Sequence, residues 1–343
     1  MKTFYSPAHL AHAPKEEFEG GRLTPAVEIP ERAECVRARI EARKLDAIEA
    51  PYDFGLAPLL RIHDTEFVEF IEGAHAQWRA RYGEDAPPAI PTAWPARGLR
   101  DRRLGDIEAR LGAYAFDTAT PILKGTWDAA RTAANVALSA ADEIAGGARS
   151  AFALTRPPGH HASRDVFGGY CYLNNIAIAA QWLTDKGLRP AILDVDYHHG
   201  NGTQAIFYDR ADVFFCSVHA DPIFAFPHYL GFADERGIGL GEEKNLNLPL
   251  PRGTAWHDYR QALDTALTRI AHFGPDVLLV SLGLDTFKDD PICQFQLQTE
   301  DYLRLGERLA QLGKPTLFVF EGGYALDALA ENTVNVLEGF LGR

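Results

Sequence analysis

Pro190-Ala191-Ile192-Leu193-Asp194-Val195-Asp196-Tyr197-His198-His199-Gly200 joins a short apolar run to a cluster of groups able to bind a metal or move a proton. The run shows no apolar–polar alternation, so it reads as a strand buried on both faces, the mark of a parallel sheet with helices packed on each side. The same join recurs four times. Ala151–Thr155 leads into Arg156-Pro157-Pro158-Gly159-His160-His161, Val213–Val218 precedes His219, Val277–Leu284 precedes Asp285, and Thr316–Phe320 precedes Glu321-Gly322-Gly323-Tyr324. Ligands bind beyond the carboxyl ends of strands in such sheets. The sequence therefore predicts a three-layer α/β fold, a mostly parallel sheet with helices on both faces, and reactive side chains gathered on one rim.

Between the runs lie helical patterns. Glu31–Lys44 spaces Cys35, Val36 and Ile40 as an amphipathic helix after Pro30. Thr126–Ala145 opens at a Thr N-cap and stops at Gly146-Gly147, Leu173–Lys186 closes at Gly187, and Asp327–Leu341 forms a last helix over the sheet. At 343 residues, with no linker or charge block, residues 1–343 read as one domain. One stretch breaks the rhythm: about residues 79–123 (Arg79–Leu123) carry repeated Pro and Gly and the basic run Arg97–Arg103, and read as a long loop insertion.

Composition removes several functions. Net charge −13, from 34 basic and 47 acidic residues, argues against nucleic acid and suits a cleft that draws in a small cation. No apolar run is long enough for a bilayer, and the N-terminus lacks a secretory h-region, so the expected setting is cytoplasmic, away from membranes. Cys35, Cys171, Cys216 and Cys293 form no C-x-x-C pair, which leaves neither a thiolate zinc knuckle nor a redox dithiol.

Asp196-x-His198 points two ligands to one side if the chain stays extended, and Asp285 adds a third from another strand end. Two carboxylates and one imidazole without thiolate suit a catalytic Zn²⁺, Fe²⁺ or Mn²⁺ with an open position. The rigid Pro-Pro-Gly turn aims His160 and His161, which can divide the roles of base and acid, with Asp194 and Asn201 as the groups behind them. Tyr324, on a Gly-Gly loop, can donate a hydrogen bond to a developing oxyanion.

Arg156-Pro157-Pro158-Gly159-His160-His161, Asp194 through Gly202, Leu282-Gly283-Leu284-Asp285-Thr286 and Glu321-Gly322-Gly323-Tyr324 together resemble the arginase-like family of zinc-dependent, histone deacetylase-like enzymes, in its acetylpolyamine amidohydrolase branch. The resemblance implies removal of acetyl groups from small acetylated amines (acetylputrescine, acetylcadaverine, acetylspermidine), with protein acetyl-lysine deacetylation as the alternative and a non-catalytic acetyl-ligand binder as a third reading. It implies Asp196, His198 and Asp285 as ligands of Zn²⁺ (Fe²⁺, Co²⁺ or Mn²⁺ possible), His160 as base, His161 as acid and Tyr324 polarising the acetyl carbonyl. It also implies structural K⁺ at an inner site of Asp194, Asp196, His198, Ser217 and Val218 and an outer site including Phe207, Arg210 and Val213. Tyr170 and Phe226 resemble tunnel walls and Arg32 the arginine of an inner acetate cavity. Glu108 and Asp117 resemble partners for a distal ammonium, and the 79–123 loop implies a homodimer. Asn201 stands where many histone deacetylases have aspartate, which removes a charge behind His161.

Overall fold

The computed structural model describes residues 1–100 and 105–343; Asp101, Arg102 and Arg103 of the basic run lie outside the described residues. The strands are β1 (Lys2–Phe4), β2 (Glu16–Glu19), β3 (Arg22–Pro25), β4 (Ile48–Glu49), β5 (Ser150–Ala153), β6 (Pro190–Asp194), β7 (Phe214–Ala220), β8 (Asn245–Leu250), β9 (Val277–Leu282) and β10 (Thr316–Phe320). The α-helices are α1 (Glu31–Arg43), α2 (Thr65–Tyr82), α3 (Ile107–Tyr114), α4 (Thr126–Ala145), α5 (Asn175–Asp185), α6 (Asn201–Phe207), α7 (Trp256–Phe273), α8 (Thr299–Ala310) and α9 (Leu326–Leu341).

Eight strands form one sheet in the order β4-β1-β5-β10-β9-β6-β7-β8, every neighbouring pair parallel. β2 and β3 form a separate antiparallel hairpin. The apolar runs do not alternate because both faces are dry: Val277 and Leu279 of β9 enter one core, while Leu278, Val280 and Leu282 enter the other. The first core packs against α2 to α6 and the second against α1, α7, α8 and α9, which gives the three layers.

Several boundaries shift for local reasons. Thr126 is the first helical residue of α4, after Gly125, and its Oγ1 accepts from Leu123 N at 2.8 Å. α5 starts two residues later than the pattern suggests because the Asn174 side chain caps Ala177 N at 2.9 Å. His219 lies inside β7, fully buried between Ser217 Oγ and Gly231 O at 2.8 Å each, so it does not join the rim. The 79–123 stretch holds the end of α2 and all of α3.

Candidate active site

The four central neighbours β5, β10, β9 and β6 end on the same side and deliver His160 and His161, Tyr324, Asp285, and Asp196 with His198. The turn before the two histidines is tied to β10: Gly159 N and His160 N donate to Glu321 Oε2 at 2.6 and 3.2 Å. Burial pushes the Glu321 carboxyl up to about 7. After β6 the chain winds around its own carboxylates. Asp196 N donates to Asp194 Oδ1 at 3.1 Å, His198 N to Asp196 Oδ1 at 2.9 Å, and Tyr197 N to Asp285 Oδ1 at 2.8 Å.

These ties bring three donors together. His198 Nδ1 lies 3.1 Å from Asp285 Oδ2 and 3.3 Å from Asp196 Oδ1, all within buried side chains. Ligands about 2.0 Å from one tetrahedral ion lie about 3.3 Å apart, so the separations of His198 from Asp196 and from Asp285 are those of donors to a single divalent cation. The charge balance asks for one. Burial and the neighbouring Asp196 charge push Asp285 up, as expected of two carboxylates confined in one site, and a cation between them would relieve that repulsion. Cys293 Sγ lies within 4.8 Å of the His198 and Asp285 donors, yet burial raises its thiol well above the usual range and its proton is held by Asp290, which makes it a poor ligand.

The two histidines face different partners. His160 Nδ1 sits 3.0 Å from Asp194 Oδ2, and although burial disfavours its charge, Asp196 and Asp194 push it up to about 10. His161 Nδ1 donates to Asn201 Oδ1 at 2.6 Å; burial and the imidazoles of His160 and His198 hold it neutral, well below the usual value.

Above them is a cavity of about 230 Å³, lined among others by His161, His198, Tyr324, Tyr170 and Phe226. Phe226 stands edge-on to His161 at 5.1 Å and stacks on Phe116 at 5.6 Å; the Tyr170 ring meets Tyr324 at 5.7 Å. Two carboxylates reach the wall. Asp117 accepts from Gly169 N and Ala119 N, and Glu17, on β2, hydrogen-bonds Tyr170.

The candidate donor trio, the paired histidines and a tyrosine stand at the ends of four parallel strands, and residues 26–340 match the histone deacetylase domain. The chain belongs to the histone deacetylase family. Relatives of this deacetylase include acetylpolyamine amidohydrolase 2 of Pseudomonas aeruginosa, 52% identical over 343 residues and spanning 100% of this chain and 99% of the relative. The acetylpolyamine amidohydrolase of Mycoplana ramosa is 46% identical across the full length of both chains. The crystal structure of acetylpolyamine aminohydrolase from Burkholderia pseudomallei superposes with a TM-score of 0.93 at 40% identity, covering 99% of this chain and 98% of that one. The arginase/deacetylase fold expected from the motifs is the fold found.

One residue expected at the distal ammonium does not line this cavity. Glu108 is exposed in the first turn of α3 and does not line the cavity, because Asp106 caps that helix and turns the residue to the surface. Arg32, expected at an inner acetate cavity, is fully buried beneath Tyr324, and its guanidinium is engaged by Glu28 Oε1 at 2.9 Å and by the carbonyls of Gly323 and Glu321 at 2.6 Å each. The sequence reading missed Glu17 and Phe116. Alternation along Glu16–Glu19 before the Gly20-Gly21 turn was a usable hairpin signal for Glu17; nothing in the sequence pairs Phe116 with Phe226. Asp194 and Ser217 are register partners on β6 and β7, while Phe207, Arg210 and Val213 gather at the α6–β7 connection.

Proposed function

We propose that this deacetylase hydrolyses the acetyl amide of small linear amines: acetylputrescine, acetylcadaverine or acetylspermidine. The observation that carries this is an aromatic-walled cavity that reaches His198 of the donor trio, His161 and Tyr324 and carries the Glu17 and Asp117 carboxylates in its wall, where a methylene chain can lie and a distal ammonium find negative charge. The relatives' names agree with that substrate class. Asp196, His198 and Asp285 would hold the divalent metal, for which zinc is the first choice, with Fe²⁺, Co²⁺ or Mn²⁺ as substitutes. When bound, it supplies Lewis acidity toward the acetyl carbonyl and toward water.

The chain's own groups move the protons. The resemblance implies His160 as base and His161 as acid, and the groups behind the two rings favour another division. His160 is backed by the Asp194 carboxylate, which favours the charged imidazolium, whereas His161 is backed only by the Asn201 amide, which leaves Nε2 available as an acceptor. In this reading His161 takes the proton from the attacking water and returns it to the departing amine, and the Tyr324 hydroxyl donates to the carbonyl oxygen as charge develops there. The products are acetate and the free amine. Potassium between β6 and β7, near Asp194 and Ser217, and a homodimer through the 79–123 insertion complete the proposal. The insertion presents a cavity of about 320 Å³ lined by Ala93, Trp94, Pro95, Leu99, Ala109 and Ala113, with Leu99 67% exposed.

Acetate release from the three acetylated amines and from an acetyl-lysine peptide, on metal-replete and chelated protein, tests the reading. Metal-dependent preference for the small amines is expected. Preference for the peptide would make this a protein deacetylase, and silence on all four would return it to an acetyl-ligand binder.

A further inference from the structure

The segment that delivers Tyr324 is pinned through two alternate peptide planes, on either side of the Gly322–Gly323 peptide. In the first, Glu321 O accepts from Arg32 Nη2 at 2.6 Å while Gly322 N donates to Asp196 Oδ2 at 2.9 Å. In the second, Gly323 O accepts from Arg32 Nε at 2.6 Å while Tyr324 N donates to Asp290 Oδ2 at 2.7 Å. Each plane is thus held by the same guanidinium at its oxygen and by a carboxylate at its nitrogen. Such pinning has work to do here. Gly323 sits at φ +117°, a conformation with little intrinsic preference for one orientation of the following peptide, and Gly322 has no room for a Cβ, which would fall 2.5 Å from Asp285 Oδ2.

Of the two carboxylates in this clamp, Asp290 is the one that is not a candidate metal ligand. It is 6% exposed and belongs to no motif that binds metal or substrate. Its Oδ1 accepts from Ile292 N at 3.1 Å and its carboxylate also accepts a hydrogen bond from the Cys293 thiol, while Ile292 and Gln294 line the cavity. A carboxylate is suited to this place because donors approach both oxygens. An amide would turn an NH₂ toward one of them.

We propose that Asp290 is the positioning residue for Tyr324: by fixing the Gly323–Tyr324 peptide plane it sets the direction of the Tyr324 Cα–Cβ bond, and it joins that residue rigidly to the Ile292–Gln294 wall. The inference rests on Tyr324 as the donor to the acetyl carbonyl. A misplacement of about 1 Å at such a donor costs up to a hundredfold in rate.

The test compares Asp290→Ala and the milder Asp290→Asn with Tyr324→Phe and the double variants, on metal-replete protein with acetylputrescine. The single variants should lose on the order of tenfold to a hundredfold in kcat with KM and metal content little changed. In the Tyr324→Phe background the same substitutions should cost little more, since the hydroxyl they position is gone. Amide hydrogen exchange adds a readout independent of any substrate: the peptide spanning Gly322–Ala325 should lose protection in Asp290→Ala or Asp290→Asn while the remaining sheet does not. Full additivity in the double variants, or unchanged protection of Tyr324, overturns the assignment. Absence of turnover in the unsubstituted protein would sink the substrate reading, and hydrogen exchange would still decide the role of Asp290.

Discussion

The floor and the outer wall of the cavity come from different parts of the chain. The floor is supplied by the ends of four adjacent strands, and its carboxylates are each held by backbone amides: Asp196 by His198 N and Gly322 N, Asp285 by Tyr197 N, Glu321 by Gly159 N and His160 N. The wall is assembled from the β2–β3 hairpin, the stretch before α4 and the loop after β7, which bring Glu17, Asp117 and Phe226. A floor built from sheet geometry leaves the reacting groups little freedom, whereas walls on appended segments can change without moving them. Floor substitutions should therefore act on metal and rate, and wall substitutions on the choice of substrate.

The largest effect tests the floor directly. Asp285→Asn removes one of two carboxylate donors and should reduce bound divalent metal and turnover to background, read by metal analysis and acetate release. Retention of both would break the floor assignment. Next is Tyr324→Phe, which deletes a hydroxyl and little else. Turnover should fall by on the order of 10² with metal content unchanged, and near-normal activity would remove Tyr324 from the chemistry.

The wall is probed by Glu17→Gln. Replacing a buried carboxylate that meets a cation should raise KM for acetylputrescine about tenfold, leave kcat nearly constant, and spare an uncharged N-alkylacetamide. Equal effects on the charged and the neutral substrate would show that Glu17 acts through Tyr170 alone.

How far the sequence reveals each half follows the same division. His160, His161, Asp196, His198, Asp285 and Tyr324 are legible because each stands in the short segment that follows an apolar run, and a parallel sheet turns that sequence regularity into spatial convergence. His219 misleads because β7 runs two residues past its apolar stretch and swallows it. The wall is hard to read because no period relates Glu17 to Asp117 or Phe116 to Phe226; their meeting depends on how irregular segments pack. Arg32 shows the intermediate case. Its position beneath the Tyr324 segment is set by α1, but the carbonyls that claim its guanidinium are separated from it by almost the whole chain.

The smallest effect on turnover concerns the scaffold behind the floor. Burial holds three neutral imidazoles below the usual 6.5: His12 at about 3, His63 and His219 at about 4. His63 Nε2 accepts from Asn174 N at 2.9 Å, and the Asn174 side chain donates to Ala162 O at 2.8 Å, directly behind His161. Because the folded values lie below the unfolded one, the unfolded chain binds more protons under about pH 6.5, and stability falls as pH drops from there toward about 4. Each imidazole costs about 2 kcal/mol at pH 5. His63→Gln keeps an acceptor for Asn174 N and cannot titrate, so its urea midpoint should drop less between pH 7 and pH 5 than that of the unsubstituted protein, with turnover at pH 7 unchanged. An identical drop would show that the acid sensitivity arises outside the support of the floor, and the contrast between a rigid floor and a tolerant wall would then rest on the strand ends alone.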